Sequence, residues 1–366
     1  MRIAILEPYI EGIGGAQRVI AKYSNYLKEK GHYVEIFTQR YDPKTAYAEF
    51  KNIKITILKL KNKIFSPFVY LLKKFRGFDL IIANDWPTHF ASLRNDNVVW
   101  ICYSPKRDFY DLKKYYLKNY PFYEKMLILI KNILFKSIDI LSAKKAKKIM
   151  PISKNVLDRV KKYYNREGEI FYCGIDFDRY YNKKYGNYIL CISRLVKPKR
   201  VDILIRSMGL VKSKIKLLIA GDGPEMNNLK KLAKNYPNVK LLGAVDEKKL
   251  IELYANCLAV VYVPIDEDWG LIPLEAGASG KLTIGVNEGG LKETIINNKT
   301  GFLINNITPE KIAEKIDYLA KNKKIAIKMG NEARKIARKF DWKILLKSKN
   351  LYNAVFNKQN GIYQRI

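Results

Sequence analysis

Short apolar runs alternate along this chain with longer stretches in which apolar positions recur at helical spacing. In the first half the runs fall at 3–6, 33–37, 80–83, 98–102 and 149–152. In the second half they fall at 188–192, 216–220, 239–242, 258–263 and 282–285. Helical periodicity fills the gaps, as at 16–30, 201–212 and 246–254. A strand–helix rhythm of this kind predicts parallel sheets in α/β layers. Two such series predict two doubly wound domains, with ligands at the carboxyl ends of the strands, in an interdomain crevice. The tyrosine-rich, turn-prone stretch 178–186 is the expected hinge, so the predicted domains are 1–180 and 187–341.

If function sits at strand ends, the segments that follow the apolar runs carry it. The most informative is Pro264-Ile265-Asp266-Glu267-Asp268-Trp269-Gly270-Leu271-Ile272-Pro273-Leu274-Glu275. Glu267 lies in an acidic loop, and Glu275 inside a helix that opens near Leu271. Gly270 between them lets backbone approach a ligand closely. The helix start offers unpaired N–H groups and a positive dipole end to a phosphate. Carboxylates that accept hydroxyl hydrogen bonds beside a phosphate cradle describe a sugar-nucleotide site. Ser193-Arg194-Leu195-Val196-Lys197-Pro198-Lys199-Arg200 follows the run 188–192. Arg194 and Lys199 there can reach a diphosphate, one with a fork and one with a point charge. Lys197 and Arg200 read as solvated surface charges.

Other segments are weaker. Gly12-Ile13-Gly14-Gly15 follows the first strand but lacks the dinucleotide spacing G-x-G-x-x-G. Gly221-Asp222-Gly223-Pro224-Glu225 reads as a turn into a helix. Asp266-Glu267-Asp268 spells D-x-D, yet in this two-domain context no metal site is expected. Of the two histidines, His32 reads as structural, and His89 as a structural residue that could also face the cleft, as a candidate for a sugar pocket. H-E-x-x-H and G-x-S-x-G are absent, so metalloprotease and hydrolase readings have no support.

Composition changes the picture in one respect. With 366 residues, 48% apolar and 28% charged, the chain suits a soluble two-domain protein. The longest apolar candidate, 126–141, is broken by Lys131, Lys136 and Asp139, so a spanning helix is not expected. The early strand at 3–6 argues against a signal peptide, and four scattered cysteines read as reduced thiols, together predicting a cytoplasmic protein. The net charge of +33, however, favours a polyanion or an anionic membrane. Between Lys106 and Lys148 basic residues interleave with Tyr, Phe, Leu and Ile, which predicts peripheral docking on the inner face of the cell membrane. On charge alone a nucleic-acid-binding protein is the alternative, although no specific nucleic-acid motif appears.

The ordered set Gly14-Gly15-Ala16-Gln17-Arg18, Pro151-Ile152-Ser153, Ser193-Arg194-Leu195…Lys199, Gly221–Glu225, Glu267…Glu275 and Gly289-Gly290-Leu291-Lys292-Glu293 resembles the retaining glycosyltransferases of family 4, with the GT-B fold. The resemblance spans nearly the whole chain and is strongest over 187–305. It implies two Rossmann-like domains, the first for the acceptor and the second for the nucleotide sugar. It also implies a C-terminal helix, 342–366, that crosses back to the first domain. Arg194 and Lys199 would bind the diphosphate and Glu267 the sugar hydroxyls. Trp269, Gly270 and Leu271 would supply backbone around sugar and phosphate, and Glu275 would hold the ribose. Gly14 and Gly15 would approach the phosphate and acceptor, while Gly243 and Val245 would line the base. Tyr103 occupies a position where relatives usually carry a histidine that contacts the transferred sugar. No cofactor or metal is expected. The Glu267 region most resembles the O-antigen mannosyltransferase branch, which makes GDP-mannose the first expected donor and a UDP-sugar the second, with a lipid-linked or surface-glycan acceptor. A GT-B sugar-nucleotide epimerase is a further alternative.

Overall fold

A computed structural model describes residues 1–12, 14–58 and 66–347. The chain forms two compact units that divide between Tyr172 and Cys173, ahead of the turn-prone stretch chosen as the hinge. Of the expected C-terminal helix, a single turn, Trp342–Leu345, is described; residues 348–366 lie outside the described residues.

The first unit is built on six parallel strands: β1 (Arg2–Ile10), β2 (Tyr33–Tyr41), β3 (Lys54–Ile57), β4 (Leu80–Asn84), β5 (Val98–Cys102) and β6 (Lys148–Pro151). Their order is β3-β2-β1-β4-β5-β6. The central strands are buried on both faces, which is why they read as continuous apolar runs. Strand β3 was not expected: four residues, Lys54-Ile55-Thr56-Ile57, at a sheet edge give little local signal. Register comes from pairing, with Ile3 opposite Val34 on one side and Leu80 on the other.

The second unit repeats the plan with β7 (Tyr188–Ile192), β8 (Lys216–Ala220), β9 (Val239–Gly243), β10 (Ala259–Tyr262), β11 (Thr283–Val286) and β12 (Gly301–Ile304). Their order is β12-β11-β10-β7-β8-β9, again all parallel. In both units the winding reverses between the first and fourth strands of the series. Crevices open at the carboxyl edge of such reversal points, here between β1 and β4 and between β7 and β10.

Helix ends follow local chemistry. Ser153 caps helix Lys154–Tyr164 by accepting from Val156 N at 3.0 Å, and Asp246 caps helix Glu247–Asn256 by accepting from Lys249 N at 2.7 Å. The long helix Phe122–Lys145 is anchored from its C-terminal half. Asp139, fully buried on it, accepts from Tyr110 Oη at 2.6 Å and Tyr164 Oη at 2.8 Å, and lies 3.1 Å from His89 Nε2. Burial first, then the Asp139 charge, hold both phenols well above the ordinary tyrosine range, so they stay protonated as donors.

A second buried charge sits in the other unit. Lys281 is fully enclosed; its Nζ donates to Asn182 Oδ1 at 2.7 Å and to Lys184 O at 2.6 Å, and lies 3.8 Å from the centre of the Tyr185 ring. Desolvation lowers its pKa from 10.5 to about 8, with Cys257 opposing weakly. Unfolding restores the higher value, so between these limits the unfolded chain binds the extra proton. Stability therefore rises with pH from about 8 to 10.5, and the penalty is fully present below that window. In Lys281→Met this rise should flatten relative to wild type in urea titrations across the same range; an unchanged slope would refute the assignment.

Candidate functional site

Three loops meet at the carboxyl edge between β7, β10 and β11. The first, 193–200, leaves β7. Leu195 N donates to Asp222 O at 2.8 Å and Glu225 N to Leu195 O at 3.0 Å, which lays this loop against the one after β8. That contact explains Gly221 and Gly223. At φ 137° a Cβ on Gly221 would stand 1.8 Å from Ser193 O, and one on Gly223 would stand 2.4 Å from Leu195 O. The Gly221–Glu225 motif thus shapes the loop that carries Arg194, whose side chain is exposed and makes no ion pair among the described residues.

The second loop, 263–270, leaves β10. Ile265 N donates to Pro198 O at 2.8 Å, tying it to the turn that carries Lys199. The result is a three-membered cluster. Lys199 Nζ donates to Glu267 Oε2 at 2.6 Å and to Tyr262 Oη at 2.8 Å. Burial, then the neighbouring Glu267 charge, push the Tyr262 hydroxyl well above the ordinary tyrosine range, so it stays neutral and hydrogen-bonds Glu267 as well. Tyr262 was missed from sequence because it lies inside the apolar run 258–263; a hydroxyl at a strand's last residue, just before an acidic loop, is the signal that was available.

The third loop follows β11. Gly289 and Gly290 press on the Glu267 loop from behind, with Gly290 N donating to Glu267 O at 2.7 Å. A Cβ on Gly289 would stand 2.3 Å from Glu267 O, and one on Gly290 2.6 Å from Asp268 O. Gly270 (φ 133°) then opens helix Leu271–Ala278, where no acidic side chain occupies the first turn. Trp269 faces away: its indole is 3% exposed, donates to Cys173 O at 3.0 Å and packs edge-on against Phe340. Only its backbone can serve a ligand. One turn into the helix, Glu275 Oε2 accepts from Tyr254 Oη at 2.7 Å, and the Tyr180 hydroxyl bonds to it too. Both phenols are held protonated, by burial and then by Glu275. Gly243 (φ 75°) ends β9, its carbonyl accepting from Gly221 N at 2.8 Å, and half-buried Val245 follows.

Arg200 corrects the sequence reading. It is not a solvated charge but pairs with Glu288, Nη1 lying 3.2 Å from Oε1. In the other unit, Gly14 caps helix Gly15–Glu29, with Arg18 N donating to its carbonyl at 3.0 Å, and half-buried Tyr103 directly follows β5. For His89 the structural reading holds and the sugar-pocket candidacy does not. It is 0% exposed and stacked on Trp100 at 4.0 Å, with Asp139 as its partner; it belongs to the core, not to a pocket. Among the described residues, no three His, Cys, Asp or Glu side chains converge as a metal site.

Two doubly wound units with cations, a carboxylate and a helix start at one strand edge define the GT-B glycosyltransferase class. Residues 176–336 match the family model described as "Glycosyl transferases group 1", and residues 13–179 match "Glycosyltransferase Family 4". The chain belongs to this glycosyltransferase family. It is 26% identical to the alpha-1,3/1,6-mannosyltransferase ALG2 of Dictyostelium discoideum, over 83% of this chain and 86% of that one. A GDP-mannose-dependent alpha-(1-6)-phosphatidylinositol monomannoside mannosyltransferase of Mycobacterium tuberculosis is 30% identical over 40% of this chain and 41% of its own. HepE of Anabaena, solved with UDP and glucose, superposes with a TM-score of 0.74 at 16% identity, covering 95% of this chain and 97% of that one. None of these matches supports the nucleic-acid-binding or epimerase readings.

Proposed function

We propose that this protein is a retaining glycosyltransferase that moves a sugar from a nucleotide-sugar donor to a lipid-linked or surface-glycan acceptor. The observation that carries the reading is the Lys199–Tyr262–Glu267 cluster beside exposed Arg194, at the strand edge where a doubly wound sheet takes its ligand. Cleaving the anomeric C–O bond makes the sugar cationic and the departing diphosphate more negative. Lys199, Arg194 and the N–H groups at Leu271 lie where that growing charge is stabilised. These cations serve without a metal ion or other cofactor. Glu267 receives sugar hydroxyls and Glu275, fixed by two phenols, receives the ribose. Gly243 and Val245 border the base, while the backbone of Trp269, Gly270 and Leu271 lies along sugar and phosphate. The acceptor hydroxyl attacks on the leaving-group face, and the diphosphate takes its proton, giving retention. In the first unit, Gly14 and Gly15 serve the donor phosphate and the acceptor, and Tyr103 the transferred sugar.

GDP-mannose is the first donor to test, because the two mannosyltransferases above share family and sequence with this chain; UDP-sugars are second, since HepE binds UDP. A thermal-shift screen against GDP, UDP and their sugars tests this directly, as a ligand of the native state raises its stability. A set in which no nucleotide shifts the transition would overturn the donor reading.

Among the described residues no helix is long and apolar enough to cross a membrane. Helix Phe122–Lys145 nevertheless exposes Phe122 (78%), Ile133 (81%), Tyr123, Met126, Leu127 and Ile130, with Lys113, Lys114 and Lys118 on the helix before it. Apolar side chains beside lysines suit the headgroup boundary of an anionic bilayer, at the inner face of the cell membrane. The protein should float with liposomes containing phosphatidylglycerol at moderate salt, and Phe122→Ser with Ile133→Ser should abolish flotation. Equal recovery of the variant would remove this surface.

A further inference from the structure

Arg200 adopts φ 53°, a left-handed backbone that glycine fills more readily than any residue with a Cβ. What arginine adds there is its side chain. The guanidinium grips Glu288 with two prongs, Nη1 to Oε1 at 3.2 Å and Nη2 in closer contact with Oε2. The same Oε2 accepts from Asp266 N at 3.2 Å. Asp266 is itself left-handed, at φ 44°, and immediately precedes Glu267. Arg200 immediately follows Lys199, and Glu288 precedes the two glycines that press on the Glu267 backbone. A single carboxylate thus ties together the loops that carry Lys199 and Glu267.

We infer that the Arg200–Glu288 bridge is a positioning device, holding the Asp266–Glu267 turn so that the Glu267 carboxylate stays against Lys199. It rests on the assignment of Lys199 and Glu267 to the donor site, and it adds two residues that bind no ligand themselves. An anchored turn matters because a small misplacement of a group near the reacting atoms costs rate more than affinity.

The test is Arg200→Gly, which removes the fork while relieving the backbone. Thermal stability should be kept, kcat for sugar transfer from GDP-mannose (or from UDP-glucose, whichever donor wild type uses) should fall roughly tenfold, and Kd for the free nucleoside diphosphate should change by less than about threefold. Arg200→Lys should recover part of the rate. Glu288→Gln should fall similarly, and the Arg200→Gly/Glu288→Gln double variant should fall no further than the worse single change. Wild-type kcat in Arg200→Gly, or losses that multiply in the double variant, would overturn the inference. Lys199→Ala is the control. If it keeps full rate, the donor-site reading fails and takes the bridge with it; if it is inactive while Arg200→Gly is normal, only the bridge fails.

Discussion

Lys199→Ala should lower turnover by on the order of 100-fold or more, measured as the initial rate of nucleotide release with donor and acceptor present. The ammonium is held by two acceptors, Glu267 Oε2 at 2.6 Å and Tyr262 Oη at 2.8 Å, so it is placed before any substrate arrives. Such preorganisation makes a charge effective at a leaving group, because nothing need reorganise as the diphosphate departs. Lys199→Arg should not restore the rate: a planar fork does not reproduce a compact ammonium seated between a phenol and a carboxylate. In the resting protein the pair is partly exposed, so its contribution to stability is small and the thermal transition should hardly move. A variant with near-normal turnover would remove Lys199 from the leaving-group role.

The largest loss of stability should come from Asp139→Ala. Its carboxylate is fully buried and gathers two phenols and an imidazole from three other segments of the first unit. Truncation strands those partners in the interior, and each buried donor left without its acceptor costs about 1–3 kcal/mol. Urea unfolding of the first unit should show a midpoint shifted accordingly. Because Asp139 sits on helix Phe122–Lys145, that helix and its exposed apolar face should loosen too, with faster amide exchange. A loss below about 1 kcal/mol would mean that the cluster is not what holds the helix.

Much of this was legible in the chain because parallel strands buried on both faces leave continuous apolar runs, and because loops that follow them carry chemistry. Lys199, Glu267 and Glu275 stood out for that reason. What stayed hidden depends on partners distant in sequence. Strands β3 and β12 have four residues each, and pairing to a neighbour defines them more than their own pattern does. Arg200 looked like one more cation in a lysine-rich protein, since its partner Glu288 lies on another loop. Tyr262 was masked by the apolar residues beside it. His89 was ambiguous for the opposite reason: a lone histidine after a strand suggests a site, and only the ring stacked on Trp100 shows it to be core. Gly221–Glu225 read as a turn into a helix, but the reason for its glycines, and for Gly289-Gly290, lay out of sequence reach: close backbone contact with the loops of Arg194 and Glu267.

On the proposed reading, the strand edge carrying Arg194 and Lys199 binds the diphosphate of a nucleotide sugar. Isothermal titration of GDP and UDP into wild type and into the Arg194→Ala/Lys199→Ala double variant tests it most directly. Wild type should bind one of the two nucleotides, and the double variant, still folded, should bind it at least about tenfold more weakly. Equal binding by both proteins, or no binding of either nucleotide to wild type, would contradict it.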